Sequence, residues 1–212
     1  GLYQSNDFNV DGTLRPGLPV STYRSNVQPG DVKYVDLNGD GRIDANDCAY
    51  QLYAALPQIY YGFNIELEWR GFGLNAYFQG MGRSTVTTTL ASIYQPLYGN
   101  ERNISEHYME NRWSPYNASG HYPRLTTQSN ANNFAPSSLW PECGAFLKLR
   151  TLSLSYKLPA RLASKIRMRE CCLYLKGMNL FSADRIDILD PEYINTGYPS
   201  ARSYQIGFNL IF

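Results

Sequence analysis

Residues 58–70 read QIYYGFNIELEWR and alternate strictly. Ile59, Tyr61, Phe63, Ile65, Leu67 and Trp69 fall on one face, and Tyr60, Gly62, Asn64, Glu66, Glu68 and Arg70 on the other. Period two over a whole run predicts a strand with one apolar side. A tight turn at Arg70–Gly71 leads into FGLNAYFQG, where Phe72, Leu74, Ala76 and Phe78 alternate with Gly73, Asn75, Tyr77 and Gln79. The two runs predict a hairpin. Three further strands are predicted at 146–158, 170–181 and 202–212. In the first, Leu152, Leu154, Tyr156 and Leu158 mark the clearer apolar face, and Pro159 ends it. In the last, Tyr204, Ile206, Phe208, Leu210 and Phe212 oppose Ser203, Gln205, Gly207 and Asn209.

The intervening segments differ in kind. Residues 84–145 carry Pro96, Pro115, Pro123, Pro136 and Pro141 among many Asn, Ser and Thr. A short helix is predicted between Glu101 and Trp113, where Ile104, Tyr108 and Met109 share a face. Residues 159–169 form a basic connector with a helical turn, and 184–200 a loop with Asp184, Asp187, Asp190 and Pro191. Several strands run roughly 10–13 residues, which at ~3.3 Å per residue and ~45° of tilt crosses roughly 25–30 Å, a bilayer's hydrocarbon core. Strands of soluble sheets average only about 5–6 residues. Long and short connections alternate in side, as in an up-and-down barrel. The reading is therefore all-β: an antiparallel, up-and-down transmembrane β-barrel segment with long extracellular loops. Residues 1–57 are an extracellular loop region, and 58–212 hold the barrel strands with the long loop 84–145. Five strands fall short of the about eight that close a barrel, so the remaining strands are expected upstream or from other copies.

Composition supports this picture. Aromatics make up 14% and charged residues 17%, with 18 Tyr and 9 Phe, which suits β-structure with apolar and wet surfaces close together. A net charge of +1 gives no electrostatic footprint for nucleic acid. No apolar run is long enough for a transmembrane helix, but barrel strands escape that test. No export leader opens the chain at Gly1, so an outer-membrane reading expects a longer protein around it. Cys48, Cys143, Cys171 and Cys172 show no CxxC spacing. They leave open a Cys48–Cys143 bridge or four free thiols.

The sharpest motif is DLNGDGRIDAND from Asp36 to Asp47. Side-chain oxygens of Asp36, Asn38, Asp40, Asp44 and Asp47 stand at positions one, three, five, nine and twelve. Gly41 stands at six, the Arg42 carbonyl at seven and apolar Ile43 at eight. This is the spacing of an EF-hand calcium loop with Asp in place of the terminal Glu. The bland reading is an Asx-rich turn without an ion. Calcium is favoured over magnesium because the ligand count exceeds what magnesium takes from protein. No EF-hand helices flank the loop, so a calcium sensor is not expected. Gln205, Gly207, Leu210 and Phe212 resemble the terminal signal read by the barrel-assembly machinery; the plain alternative is an amphipathic last strand. His107 and His121 have no paired nucleophile, so no enzyme is expected. A secreted soluble β-module holding a glycan surface with a calcium loop is the rival reading.

Taken in order, GLYQS, PGDVKYVDLNGDGRIDANDC, YGFNIELEWRGFGLNAYFQGMG, NRWSP, YPRL, FLKLRTLSLSYKLP, LKGMNLF and the final Phe resemble the SusC/RagA family of TonB-linked outer-membrane transporters over nearly the full length. LWPECGAFLKLR and CAYQLYAALPQ depart from the family pattern. The resemblance implies the last five strands of a barrel of about 22. It implies import of glycans or peptides with a SusD-like surface lipoprotein as lid. It also implies contact with the TonB complex through a missing N-terminal part, and outer-membrane lipid around the strands. Since such a barrel ends on the periplasmic side, counting strands back from Phe212 puts the Asp36–Asp47 loop outside the cell.

Overall fold

A computed structural model describes all residues except 25, 51–52, 188 and 194–197. Parts of the 184–200 loop and of CAYQLYAALPQ therefore lie outside the described residues. The chain forms two compact units: Gly1–Leu52 with Thr87–Pro141, and Tyr53–Val86 with Glu142–Phe212.

The first unit is mostly irregular. Strands β1 (Val20–Ser21) and β2 (Arg42–Ile43) pair in parallel. Helix α1 (Glu106–Asn111) lies within the predicted 101–113 window, and its Ser105 N-cap accepts from the Tyr108 N–H at 3.2 Å. The long connection is folded rather than loose, with Tyr108, Tyr122, Trp113 and Trp140 buried. The Tyr108 and Tyr122 rings stack at 4.5 Å, and Tyr3, Phe8 and Val27 form an apolar cluster with Leu14.

The second unit is built on β3 (Ile59–Trp69), β4 (Phe72–Gly82), β7 (Phe146–Lys157), β8 (Glu170–Ala183) and β9 (Ser203–Ile211). They pair in that order, each antiparallel to the next. Short strands β5 (Thr85–Thr87) and β6 (Pro141–Cys143) form a separate ribbon, and helix α2 (Ala160–Lys165) lies between β7 and β8. At the β3–β4 turn both Arg70 and Gly71 have positive φ, 49° and 87°, the geometry that matches strand twist in a two-residue hairpin. A Cβ on Gly71 would stand 2.8 Å from the Lys157 carbonyl. The short connections, at Arg70–Gly71 and through α2, leave one end of the sheet, and the long ones leave the other. Five strands do not close a barrel, and among the described residues β3 and β9 remain edges.

The register explains why only half of β7 reads clearly as a strand. Leu147 and Leu149 sit on the same face as Leu152 and Leu154, because a bulge at Arg150 changes parity. An inserted residue of this kind is a common feature of barrel rims.

Candidate functional site

Register assembles the alternating residues into continuous rows. On one face Leu67, Leu74, Leu154, Leu175 and Ile206 lie side by side across all five strands. Next to this row, toward the hairpin turn, runs Trp69, Phe72, Tyr156, Leu173 and Phe208. Toward the opposite end lies Phe63, Phe78, Leu149 and Phe181. Aliphatic residues thus occupy the middle and aromatic rows flank them, as in the lipid-facing band of a membrane barrel. The 11 residues of β3 cover roughly 25 Å at ~3.3 Å rise and ~40° tilt, the height of such a band. Phe63 stacks on Phe78 at 4.7 Å, yet both belong to an uncovered face: Leu67 is 58% and Phe208 66% exposed. A contiguous apolar face of this extent needs cover by lipid or protein.

The other face is polar. Glu66, Asn75, Ser153, Lys176 and Gln205 form one row, and Glu68, Gly73, Ser155, Tyr174 and Gly207 the next. The Glu66 carboxylate accepts from the amides of Asn64 and Asn75, each at 2.7 Å.

At the long-loop end of this polar face stands an ionic quartet. The Lys148 ammonium donates to Asp190, and to Glu192 at 2.9 Å; the Arg150 guanidinium donates to Glu192 and, through Nε, to Gln79 at 3.0 Å. Lys148 is buried. Burial alone would raise the Asp190 carboxyl, but the hydrogen bonds from Lys148 and from the N–H groups of Glu192 and Ser200 outweigh it and hold it below the usual range. The quartet pins the middle of the β8–β9 connection to the strand wall.

The acidic loop lies in the first unit. Gly39 and Gly41 take φ of 76° and 80°, and Ile43 at position eight is buried. Asp36 accepts from the N–H of Gly39 at 2.6 Å and Gly41 at 2.8 Å, and Asp40 from that of Arg42 at 2.8 Å. Asp47 accepts from the N–H groups of Leu37 and Asp44, each at 2.8 Å, which lower its pKa. Asn38 accepts from the Asp40 N–H at 3.0 Å, and Asp44 from that of Asn46 at 2.8 Å. The hard oxygen donors, the glycine at six and the anchored residue at eight fit a calcium loop. In this conformation the carboxylates instead close turns on the backbone, and no three acidic, His or Cys side chains converge as metal ligands among the described residues.

A buried hub in the same unit escaped the sequence reading. Asp31 of Pro29-Gly30-Asp31 is fully buried. It accepts from Arg124 Nε at 2.7 Å, Asn130 at 3.1 Å, Asn133 at 3.0 Å and the Gln28 N–H at 2.9 Å. Gly30 has φ 87°, and a Cβ there would meet the Trp113 ring at 2.3 Å. Gln205 and Gly207 lie on the polar face of β9, Leu210 on the apolar one, and Phe212 follows the strand, exposed. All four cysteines are free thiols, and the rings of His107 and His121 contact Tyr122 edge-on.

These features define a class: an all-β, antiparallel sheet with an apolar outer and a polar inner face, fitting a segment of a membrane β-barrel transporter. Comparison with known proteins narrows it. The chain is 28% identical over 210 residues to TonB-dependent receptor P26 of Formosa agariphila, covering 92% of this chain and 21% of that protein. It is 27% identical over 229 residues to TonB-dependent receptor P3 of the same bacterium, covering 100% of this chain and 21% of that protein. The chain thus spans about a fifth of the length of these curated relatives. No family model matches. The RagAB peptide importer in its open-open state shares the fold with a TM-score of 0.62 and 24% identity, over 81% of this chain and 19% of that one. A second structure of the RagAB peptide transporter gives 0.64 and 22%, over 84% and 20%. Relatives and shared fold together support a SusC/RagA-type TonB-dependent transporter segment. The two curated relatives are named as receptors, and the solved neighbours as a peptide importer or transporter.

Proposed function

We propose that this chain supplies five neighbouring strands and an extracellular loop unit to a TonB-dependent outer-membrane transporter that imports oligosaccharides or peptides. The similarity to TonB-dependent receptors over 92% of the chain carries this reading, and the one-sided apolar belt supports it. A soluble module would have to cover that belt. The full barrel would have about 22 strands, with a SusD-like lipoprotein seated over the extracellular side. Coupling to the TonB complex would pass through a part of the protein outside this chain. The test is uptake: cells lacking the full-length protein should lose import of one class of labelled oligosaccharide or peptide and regain it on complementation. Unchanged uptake of both classes would overturn the transport reading.

We propose further that the Asp36–Asp47 loop takes a calcium ion. The side chains of Asp36, Asn38, Asp40, Asp44 and Asp47 and the Arg42 carbonyl would hold it. The ion would supply charge neutralisation to four carboxylates within twelve residues. Ile43, buried in the unit's interior and paired through β2 to β1, would carry that ordering inward.

A further inference from the structure

The short-turn end of the sheet carries a cationic surface that transport by itself does not require. Arg161, Lys165, Arg167 and Arg169 all lie in the β7–β8 connection, and all are exposed. No acidic residue occurs between Pro159 and Arg169. Among the described residues the one ion pair at this end is Lys157 with Glu170, at 3.0 Å, so these four charges stay uncompensated. Arg70 adds a fifth cation at the neighbouring turn, its guanidinium 4.9 Å from the Trp69 ring centre.

The connection is held against the sheet and also amphipathic. Ala163 is buried, whereas Leu162 and Ile166 are 49% and 50% exposed. The Arg169 N–H donates to the Ile211 carbonyl at 2.7 Å, and Leu158 to Cys171 at 2.9 Å, which fixes the segment to the strand ends. The aromatic row of Trp69, Phe72 and Tyr156 adjoins the same end. A groove of about 520 Å³ on the apolar face takes in this row, its lining including Trp69, Phe72 and Tyr156 together with Leu67, Leu154 and Leu175. Aromatic belts mark the level of lipid headgroups, so the cations stand just beyond that level. Short turns mark the periplasmic side of a barrel.

We propose that this cationic end is a binding site for anionic phospholipid headgroups of the periplasmic leaflet. Arg161, Lys165, Arg167, Arg169 and Arg70 would face phosphates while Leu162 and Ile166 enter the acyl boundary. Charge complementarity and continuity with the lipid-facing belt support the assignment. Exposed Leu and Ile beside the cations favour a lipid over free phosphate. Basic residues near an anionic surface act roughly additively. The proposal rests on the barrel reading.

The test reconstitutes the full-length protein in nanodiscs of phosphatidylethanolamine with or without cardiolipin, and counts lipids retained per barrel by native mass spectrometry. The wild type should retain cardiolipin, and inorganic phosphate should not displace it. The variant R161Q/K165Q/R167Q/R169Q should insert normally yet lose retention about tenfold or more. The variant R161K/R167K/R169K should keep it. Equal cardiolipin retention by wild type and the four-site Gln variant, or displacement by phosphate, would overturn the headgroup site and leave the barrel intact. Failure of the wild type to insert in either lipid would overturn the barrel reading and this proposal together.

Discussion

Arg124 donates through Nε to the carboxylate of Asp31 at 2.7 Å, and Asp31 is wholly shielded from water. The pair joins the N-terminal segment to the long connection across 93 residues of sequence. Removing one partner of a buried pair leaves an unpaired charge and costs about 3–5 kcal/mol. Asp31→Ala should therefore loosen the unit formed by 1–52 and 87–141 while the sheet persists. Limited proteolysis checks this: cleavage should appear first within 87–141. An unchanged digestion pattern would show that the hub is dispensable.

The apolar belt predicts an asymmetric tolerance of charge. Ile65→Lys places an ammonium in the middle of the belt, between the two aromatic rows, at a cost of about 2–4 kcal/mol, whereas Asn64→Lys faces the polar side and costs little. Refolding of the two full-length variants into lipid vesicles measures the difference. Equal stability would reverse the assignment of faces.

Acid should release the ionic quartet. Asp190 has its folded pKa depressed below 3.8. Its contribution is therefore fully present above the unfolded value and lost as pH falls through the folded one. A spin label at exposed position Tyr198 should keep constant mobility from neutral pH down to about 5, then loosen below the unfolded carboxyl value. Lys148→Met removes the main hydrogen-bond donor and should move the loosening to higher pH. Identical titrations would exclude Lys148 as the cause.

Calcium binding is measurable directly. Isothermal titration of the wild type should give one site of modest affinity, ~10⁻⁴ M as in extracellular modules. Asp40→Ala with Asp44→Ala should abolish the heat. No heat from the wild type, or equal heat from both, would leave the loop as the network of backbone turns described above.

Legibility in the sequence followed the range of the interactions. Strands set by period-two alternation were readable almost to their ends: 58–70 against Ile59–Trp69, and 202–212 against Ser203–Ile211. Local geometry does that work, through the pleat and the Arg70–Gly71 turn. The first half of β7 was obscure because the bulge at Arg150 shifts the apolar face from odd to even positions. The hub was invisible because Asn130 and Asn133 meet Asp31 from about a hundred residues away, and no local pattern encodes such a distance. The ionic quartet left one trace, a lysine and an arginine interrupting FLKLR in a strand otherwise rich in leucine. Its acidic partners read only as loop residues.

The central claim is that β3 presents alternate residues to lipid and to water. Nitroxide labels placed singly from Phe63 to Glu68 in the full-length protein, reconstituted in a bilayer, test it through collision with oxygen and with a water-soluble nickel chelate. The account predicts oxygen-dominated relaxation at 63, 65 and 67 and nickel-dominated relaxation at 64, 66 and 68. Uniform accessibility along the strand, or the opposite phase, would contradict it.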